Sequence, residues 1–299
     1  MAYTSGDTIL DDHYNDFATS VNAIWGSGSG DSGYGQTTTV SSVSAGATIT
    51  AAQWTTLLAR ITSMANHQNS SITSISNPSA GDTIAAYTAL ATNIATITTN
   101  KLNVHGRDSI ATTAISTTTT LTGTIEQRGT WAWGSTDQAR YFFNAGGRIS
   151  ISWSLSGGTS DSKYNNWVAL ATACGTYQVI GQSSGKSGGS GSTNINNTNL
   201  GWHDLTGSYQ TAFRQYEDTG PYTASYIQLD LYKSNESVLA RSYWVDGAAD
   251  QTSYNKSIYN VQDQVDGTKT TTMGHEEPTT TYISDTWGDG PSQTVNATG

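Results

Sequence analysis

The chain has 299 residues, room for two domains at about 100–200 residues each. Only 12% of its residues are charged and 35% are hydrophobic, yet it holds 16 Tyr and 9 Trp. A disordered chain would be rich in charge and poor in rings, so this one folds under a surface of Ser, Thr, Asn and Gly. A net charge of −10, with thirteen basic residues scattered along the chain, argues against a nucleic-acid partner, and the single Cys174 leaves neither a disulfide framework nor a cysteine zinc site.

The N-terminal third repeats itself. A Gly-x-Thr-Ile motif stands at Gly6, Gly46 and Gly81. After the first come Tyr14, Phe17, Val21 and Ile24; after the second, at the same offsets, Trp54, Leu57, Ile61 and Met64; after the third, two residues early, Tyr87, Leu90, Ile94 and Ile97. Steps of three, four and three are the apolar stripe of a helix or a short heptad seam. Thr50 and Gln53 have capping-box spacing, and Asp11 or Asp12 can cap the first helix. Helices of three to four turns are too short to stand alone in water, so they pack either on one another or on other subunits. The second reading makes the twelve stripe residues a docking seam, and replacing Phe17 and Leu57 by Asp would then dissolve oligomers while sparing the strands.

Residues 26–35 and 69–80 read as loops. The glycine-rich run lacks the Lys-Ser/Thr ending of a phosphate loop, which leaves it as a linker or an inter-subunit arm that orders on assembly. Residues 109–120 form a Thr/Ser-rich bridge, after which period-two alternation dominates. It is clearest at 148–155, with Ile149, Ile151, Trp153 and Leu155 on one face; 139–143 and the turn 144–147 complete a predicted hairpin. Further strands are predicted at 121–125, 129–133, 177–180, 226–232, 239–245, 269–273 and 279–283. Trp167, Leu170 and Cys174 have helical spacing, with Cys174 a buried small hydrophobe. The expected fold is α+β: short repeated helices over 1–108, the linker 109–120, then an antiparallel, jelly-roll-like β-sandwich over 121–299 with an acidic, hydroxyl-rich tail after Trp287 that orders on assembly.

Little chemistry is legible. His13, His67, His105, His203 and His275 show no metal-ligand spacing, and hydrogen bonds or caps account for the two that flank helices. The run from His275 to Pro278 reads as a solvated turn. Asp285, Asp289 and the turn at Gly288 to Gly290 offer calcium-type oxygens without calcium-loop spacing. Glu126, Asp137, Glu217 and Asp218 are carboxylates that a glycosidase would need to bring face to face. Among the tryptophans, Trp131, Trp133 and Trp202 could stack on surface glycans, although core packing is the commoner fate of such rings. No catalytic, cofactor-binding or metal-binding residue is expected, nor any cofactor. The chain shows no leader and no stretch long enough to cross a membrane, so synthesis in a cytoplasm is expected.

Several segments resemble one group of proteins. They are His13-Tyr14-Asn15-Asp16-Phe17, the run from Gly26 to Gln36, Ile49-Thr50-Ala51-Ala52-Gln53-Trp54 leading to Asn66-His67-Gln68, the run from Ala139 to Ile149, and Gln264-Val265-Asp266-Gly267-Thr268. Together these are similar to virion structural proteins of marine tailed bacteriophages. The resemblance implies a non-enzymatic tail, fibre or baseplate-associated component, released by lysis, that assembles with itself (a trimer first), with other virion proteins and with a host surface glycan. A head decoration or cement protein is the alternative, and a host-glycan hydrolase stands third.

Overall fold

The three apolar stripes wind into α1 (Asp11–Trp25), α2 (Ala51–His67) and α3 (Tyr87–Thr99). The computed structural model describes residues 10–79, 86–218, 220–255 and 258–298, so the motifs at 6–9 and 81–84 lie outside the described residues. The expected capping box opens α2: Thr50 accepts from the Gln53 N–H, and the Gln53 amide reaches back to the Thr50 N–H. No aspartate caps α1. Leu10 holds the cap position, while Asp11 and Asp12 sit in the first turn, where they complement the positive end of the helix.

After the helices come β1 (Ala111–Thr117), β2 (Thr124–Ala132), α4 (Thr136–Asn144), β3 (Arg148–Ser156), α5 (Ser162–Cys174), β4 (Thr176–Val179), β5 (Ser184–Ser187) and β6 (Ile195–Asn196). They are followed by β7 (Gln210–Tyr216), β8 (Tyr226–Ser234), β9 (Ser237–Val245), β10 (Thr252–Asn255), β11 (Ile258–Gln262), β12 (Thr268–Glu276) and β13 (Ser292–Thr298). One sheet runs β1-β12-β3-β4-β5 and the other β13-β2-β9-β8-β7-β6, all antiparallel, beside a β10-β11 hairpin. The architecture is thus α+β, helices first and a sandwich-like pair of sheets after. Early strands pair with late ones (β1 with β12, β2 with β9), as in a jelly roll; β6 to β9, by contrast, follow one another as a plain meander.

Five sequence expectations are corrected. Residues 139–143 are not a strand: they belong to α4, because Ala139, Phe142 and Phe143 fall at helical spacing and all three are buried. The bridge 109–120 contains β1, whose Thr-rich composition suits a strand as well as a linker. Residues 279–283 are irregular rather than a strand. His275 and Glu276 end β12 instead of forming a turn, and Glu276 is paired with Arg148. The tail after Trp287 is already ordered, as strand β13 on β2.

The described chain separates into two compact units. The first comprises Met1–Asp108, Arg140–Gly147 and Glu277–Asp289; the second Ser109–Ala139, Arg148–Glu276 and Gly290–Gly299. In the second, Ile149, Ile151, Trp153 and Leu155 of β3 all face inward as their alternation predicts, and α5 packs against β3 of one sheet and β7 and β8 of the other. Trp167 of α5 stacks on Trp244 of β9 at 5.9 Å, and Cys174 is buried at the helix end.

Candidate functional site

The predicted docking seam closes inside one chain. Tyr14, Phe17, Val21, Ile24, Trp54, Leu57, Ile61, Met64, Leu90, Ile94 and Ile97 are all buried within the monomer, and Tyr87 is half-buried. Tyr14 meets Trp54 at 5.9 Å and Phe17 meets Tyr87 at 5.2 Å, ring centroid to centroid. The expectation that these stripes exceed what one chain can hide is therefore corrected: three short helices suffice for one another. The platform reading of the tryptophans is corrected too. Trp131, Trp133 and Trp202 are at most 4% exposed and offer no open face to a sugar. Lys233 lies over the Trp202 ring at 4.3 Å and donates to the Trp202 carbonyl.

In the first unit, side-chain amides hold the connecting segments. Asn15 and Asn22 stand seven residues apart on α1, two turns, hence on one face. The Asn15 amide donates to the Val43 carbonyl at 2.9 Å while its oxygen accepts from the Val43 N–H at 2.8 Å. Asn22 does the same with Val40, both bonds 2.8 Å. Asn93 of α3 clips Thr73 through 2.9 and 2.8 Å bonds, and Gln36 clips Ser284 through 2.7 and 3.0 Å bonds. Each amide offers one donor and one acceptor, the same pair a neighbouring strand would offer, so an extended loop is satisfied without a sheet.

The glycine-rich run, expected to order only on assembly, is built into this unit. Arg140 donates to the Ser32 and Ser27 carbonyls at 2.8 and 2.7 Å, and Asn144 donates to the carbonyls of Gly30 and Gly33. Lys101 reaches Asp31 at 2.8 Å. Gly28 and Gly33 have φ of +52° and +103°, and a Cβ on either would fall 2.2–2.4 Å from a backbone oxygen, so only glycine fits. His67, fully buried, donates from Nε2 to the Ala145 carbonyl at 3.0 Å; burial, against that hydrogen bond, brings its pKa down to about 4.

The second unit uses buried charge in the same way. Lys163 of α5, 1% exposed, holds the carboxylates of Asp246 (2.7 Å) and Asp250 and the Ala248 carbonyl. Burial pulls its pKa down, but the two carboxylates outweigh burial and leave it raised. Nearby, Tyr222 donates its hydroxyl to Asp263. Lys269 of β12 is fully buried and points its ammonium at the carbonyls of Thr119, Val265 and Gly267, with a pKa lowered by burial. Between the sheets, Trp153 Nε1 donates to Ser242 at 2.7 Å, Ser242 meets Thr271 at 3.1 Å, and Thr271 and Trp244 both donate to Gln127 Oε1. The Gln127 amide then donates to the carbonyls of Ile115 and Lys269, so this chain of bonds crosses repeatedly from one sheet to the other.

The four carboxylates weighed for hydrolysis do not all come together. Glu126 pairs with Arg128 and Arg241, and Asp137 lies in the first turn of α4. Glu217 and Asp218 share a recess of about 160 Å³ with Ala169, Leu170, Ala173, Ser190, Gly191, Gln215 and Tyr216. There Gln215 is already engaged, accepting from Lys186 and donating to the Ser190 carbonyl. Asp285 accepts the Trp287 N–H at 2.9 Å, and burial raises its pKa. Sequence reasoning missed Lys163 and Lys269, which by residue type belong on the surface. The Asn15–Asn22 spacing was the one signal that could have disclosed the clips.

The fold is that of an α+β protein with a helical unit and a sandwich-like unit, both fastened internally by amide and ammonium groups. Comparisons of the sequence and the structure with known proteins matched no family model, no curated protein and no solved structure.

Proposed function

We propose that this chain is a structural component of a tailed-phage virion, a tail, fibre or baseplate-associated part that acts by its presence and mechanical strength. The observation that carries the reading is where the reactive side-chain types go. His67, Lys163, Lys269, Arg140, Asn15, Asn22, Asn93, Gln36 and Gln127 each grip backbone or another internal group. Groups fixed in this way make loops rigid, which suits a part that is built once and must hold its shape. The sparsely charged, hydroxyl-rich surface favours lasting contacts with like surfaces over steering of charged ligands. The segment resemblance noted above points to the same particle.

The test is mass spectrometry of density-purified particles from the phage that encodes the chain, followed by localisation in a particle reconstruction. Recovery at stoichiometric copy number with density at the tail is expected. Density on the head would move the protein to a cement role, and absence from purified particles refutes the proposal.

A further inference from the structure

The second unit has one flank built unlike the other. On one side the sheets end in β5 and β6. Strand β6 is two residues long, and β5 is four residues long and carries Lys186. Short edges and lysines are the usual guards against unwanted strand pairing. On the other side the sheets end in β1 and β13, seven residues each and close to one another. Neither contains a charge, a proline or a register shift in its pairing. The uncharged stretch extends well past the strands, over residues 109–125 and 290–299, in a chain that has thirteen basic and 23 acidic residues elsewhere.

An edge strand leaves half of its backbone N–H and C=O groups pointing away from its sheet. Among the described residues no strand pairs with β13 beyond β2, or with β1 beyond β12. Ile110, directly before β1, is 46% exposed, and apart from Leu10 it is the sole large hydrophobic side chain this exposed among the described residues. The flank thus combines open strand edges, an exposed apolar residue and local neutrality.

Neutrality selects the occupant. Two copies of a chain carrying −10 repel wherever their acidic groups approach, and this flank is where they can meet without opposing charges. We infer that the β1–β13 flank is a self-pairing interface, in which β13 of one copy adds antiparallel to β13 of a second copy. Because the opposite flank is guarded, the contact is isologous, and an edge that pairs with its own copy is used up at two. The product is a closed dimer rather than a ring or a fibre. The inference deepens the assembly reading proposed above and rests on it for its setting, but it is decided in solution with the purified full chain.

Thr294 and Asn296 are exposed and share the outer face of β13, whereas Gln293, on the other face, donates to the Met273 carbonyl. The double variant T294K/N296K leaves the interior alone and sets lysines opposite lysines across an antiparallel β13 pair, which destabilises such pairs. Because Asn296 also stands opposite Arg128 of β2, β13 amide exchange in the dilute variant should match that of the dilute wild type, which shows that β13 stays on its own sheet. Sedimentation of the wild type over about 1–100 µM is expected to show a monomer–dimer equilibrium, weakened about tenfold or more by T294K/N296K and restored by about 1 M salt. A95K/T99K, which places the same charges on exposed positions of α3, is expected to dimerise like the wild type. As a readout independent of any variant, amide exchange in β13 of the wild type should slow about tenfold between dilute and concentrated samples.

A wild type that stays monomeric, a trimer, a dimer indifferent to T294K/N296K, or β13 exchange independent of concentration overturns the inference. A monomer that is nonetheless present in particles refutes the flank and spares the virion reading; a dimer absent from particles does the reverse.

Discussion

Lowering the pH from 7.5 to 5.0 should destabilise the helical unit through His67 alone by about 2 kcal/mol. The ring is fully buried at the C-terminal end of α2, its Nε2–H bonded to the Ala145 carbonyl and its plane steeply inclined to the Tyr34 ring, 5.2 Å away between centroids. The other nitrogen, Nδ1, is buried with no hydrogen-bond partner, so a second proton would sit on an atom that nothing accepts from. Burial is the main cause of the depressed pKa; the Ala145 carbonyl opposes it, and the neighbouring His105 adds to it. With the folded value at about 4 and the unfolded value near 6.5, the unfolded chain takes up the proton first. The contribution is complete above pH 6.5 and declines as pH falls toward 4. At pH 5.0 the difference in proton uptake corresponds to about 2 kcal/mol, with about 1.4 kcal/mol per pH unit once the unfolded state is protonated. Urea unfolding at the two pH values, followed by helical circular dichroism, measures it. In His67→Gln the amide can still donate to Ala145 but has no proton to gain, so its loss between the two pH values should be smaller by about 2 kcal/mol. Equal losses in the two proteins, or a His67 ring that titrates near its ordinary value by NMR, would refute the reasoning.

Other perturbations test the remaining fasteners. Leu57→Asp puts a carboxylate at a site with 0% exposure and should cost about 4 kcal/mol or more, seen as loss of helical signal rather than as dissociation of an oligomer. Lys163→Met strands the Asp246 carboxylate and should lower stability by about 3 kcal/mol in denaturant titrations, with partial recovery when Asp246→Asn is added. Gly33→Ala should cost about 2–3 kcal/mol, because the residue keeps a left-handed φ and its Cβ would meet the Ser27 carbonyl oxygen at 2.2 Å; a melting-temperature scan reads the drop. Asn22→Leu removes both bonds to Val40 and should speed amide exchange at Val40 while costing about 1–3 kcal/mol.

Periodicity made much of this fold legible in the sequence. The three-four-three steps from Tyr14, Trp54 and Tyr87 located three helices, Thr50 with Gln53 located a start, and Ile149 to Leu155 located a central strand with its inward face, because each of these signals lies within a few residues of chain. Where both faces or the wrong face carry polar residues, the pattern is silent on burial. For β12 the alternation does predict a strand at 269–273, but its inward positions are Lys269, Thr271 and Met273, so the buried face cannot be told from a solvated one. The segment 139–143 reads as a strand by sequence because Ala139, Phe142 and Phe143 mark a helix only once their shared burial is known. The destination of the helical stripes was equally a tertiary matter, since an apolar stripe demands a partner without naming one. Sequence alone determined that the helical region precedes the sheets and which apolar side chains must leave water. Only the packed structure decided that the stripes meet within one chain, that buried lysines and amides hold the loops, and which sheet edges are left open, because contacts between residues far apart in sequence leave no local trace.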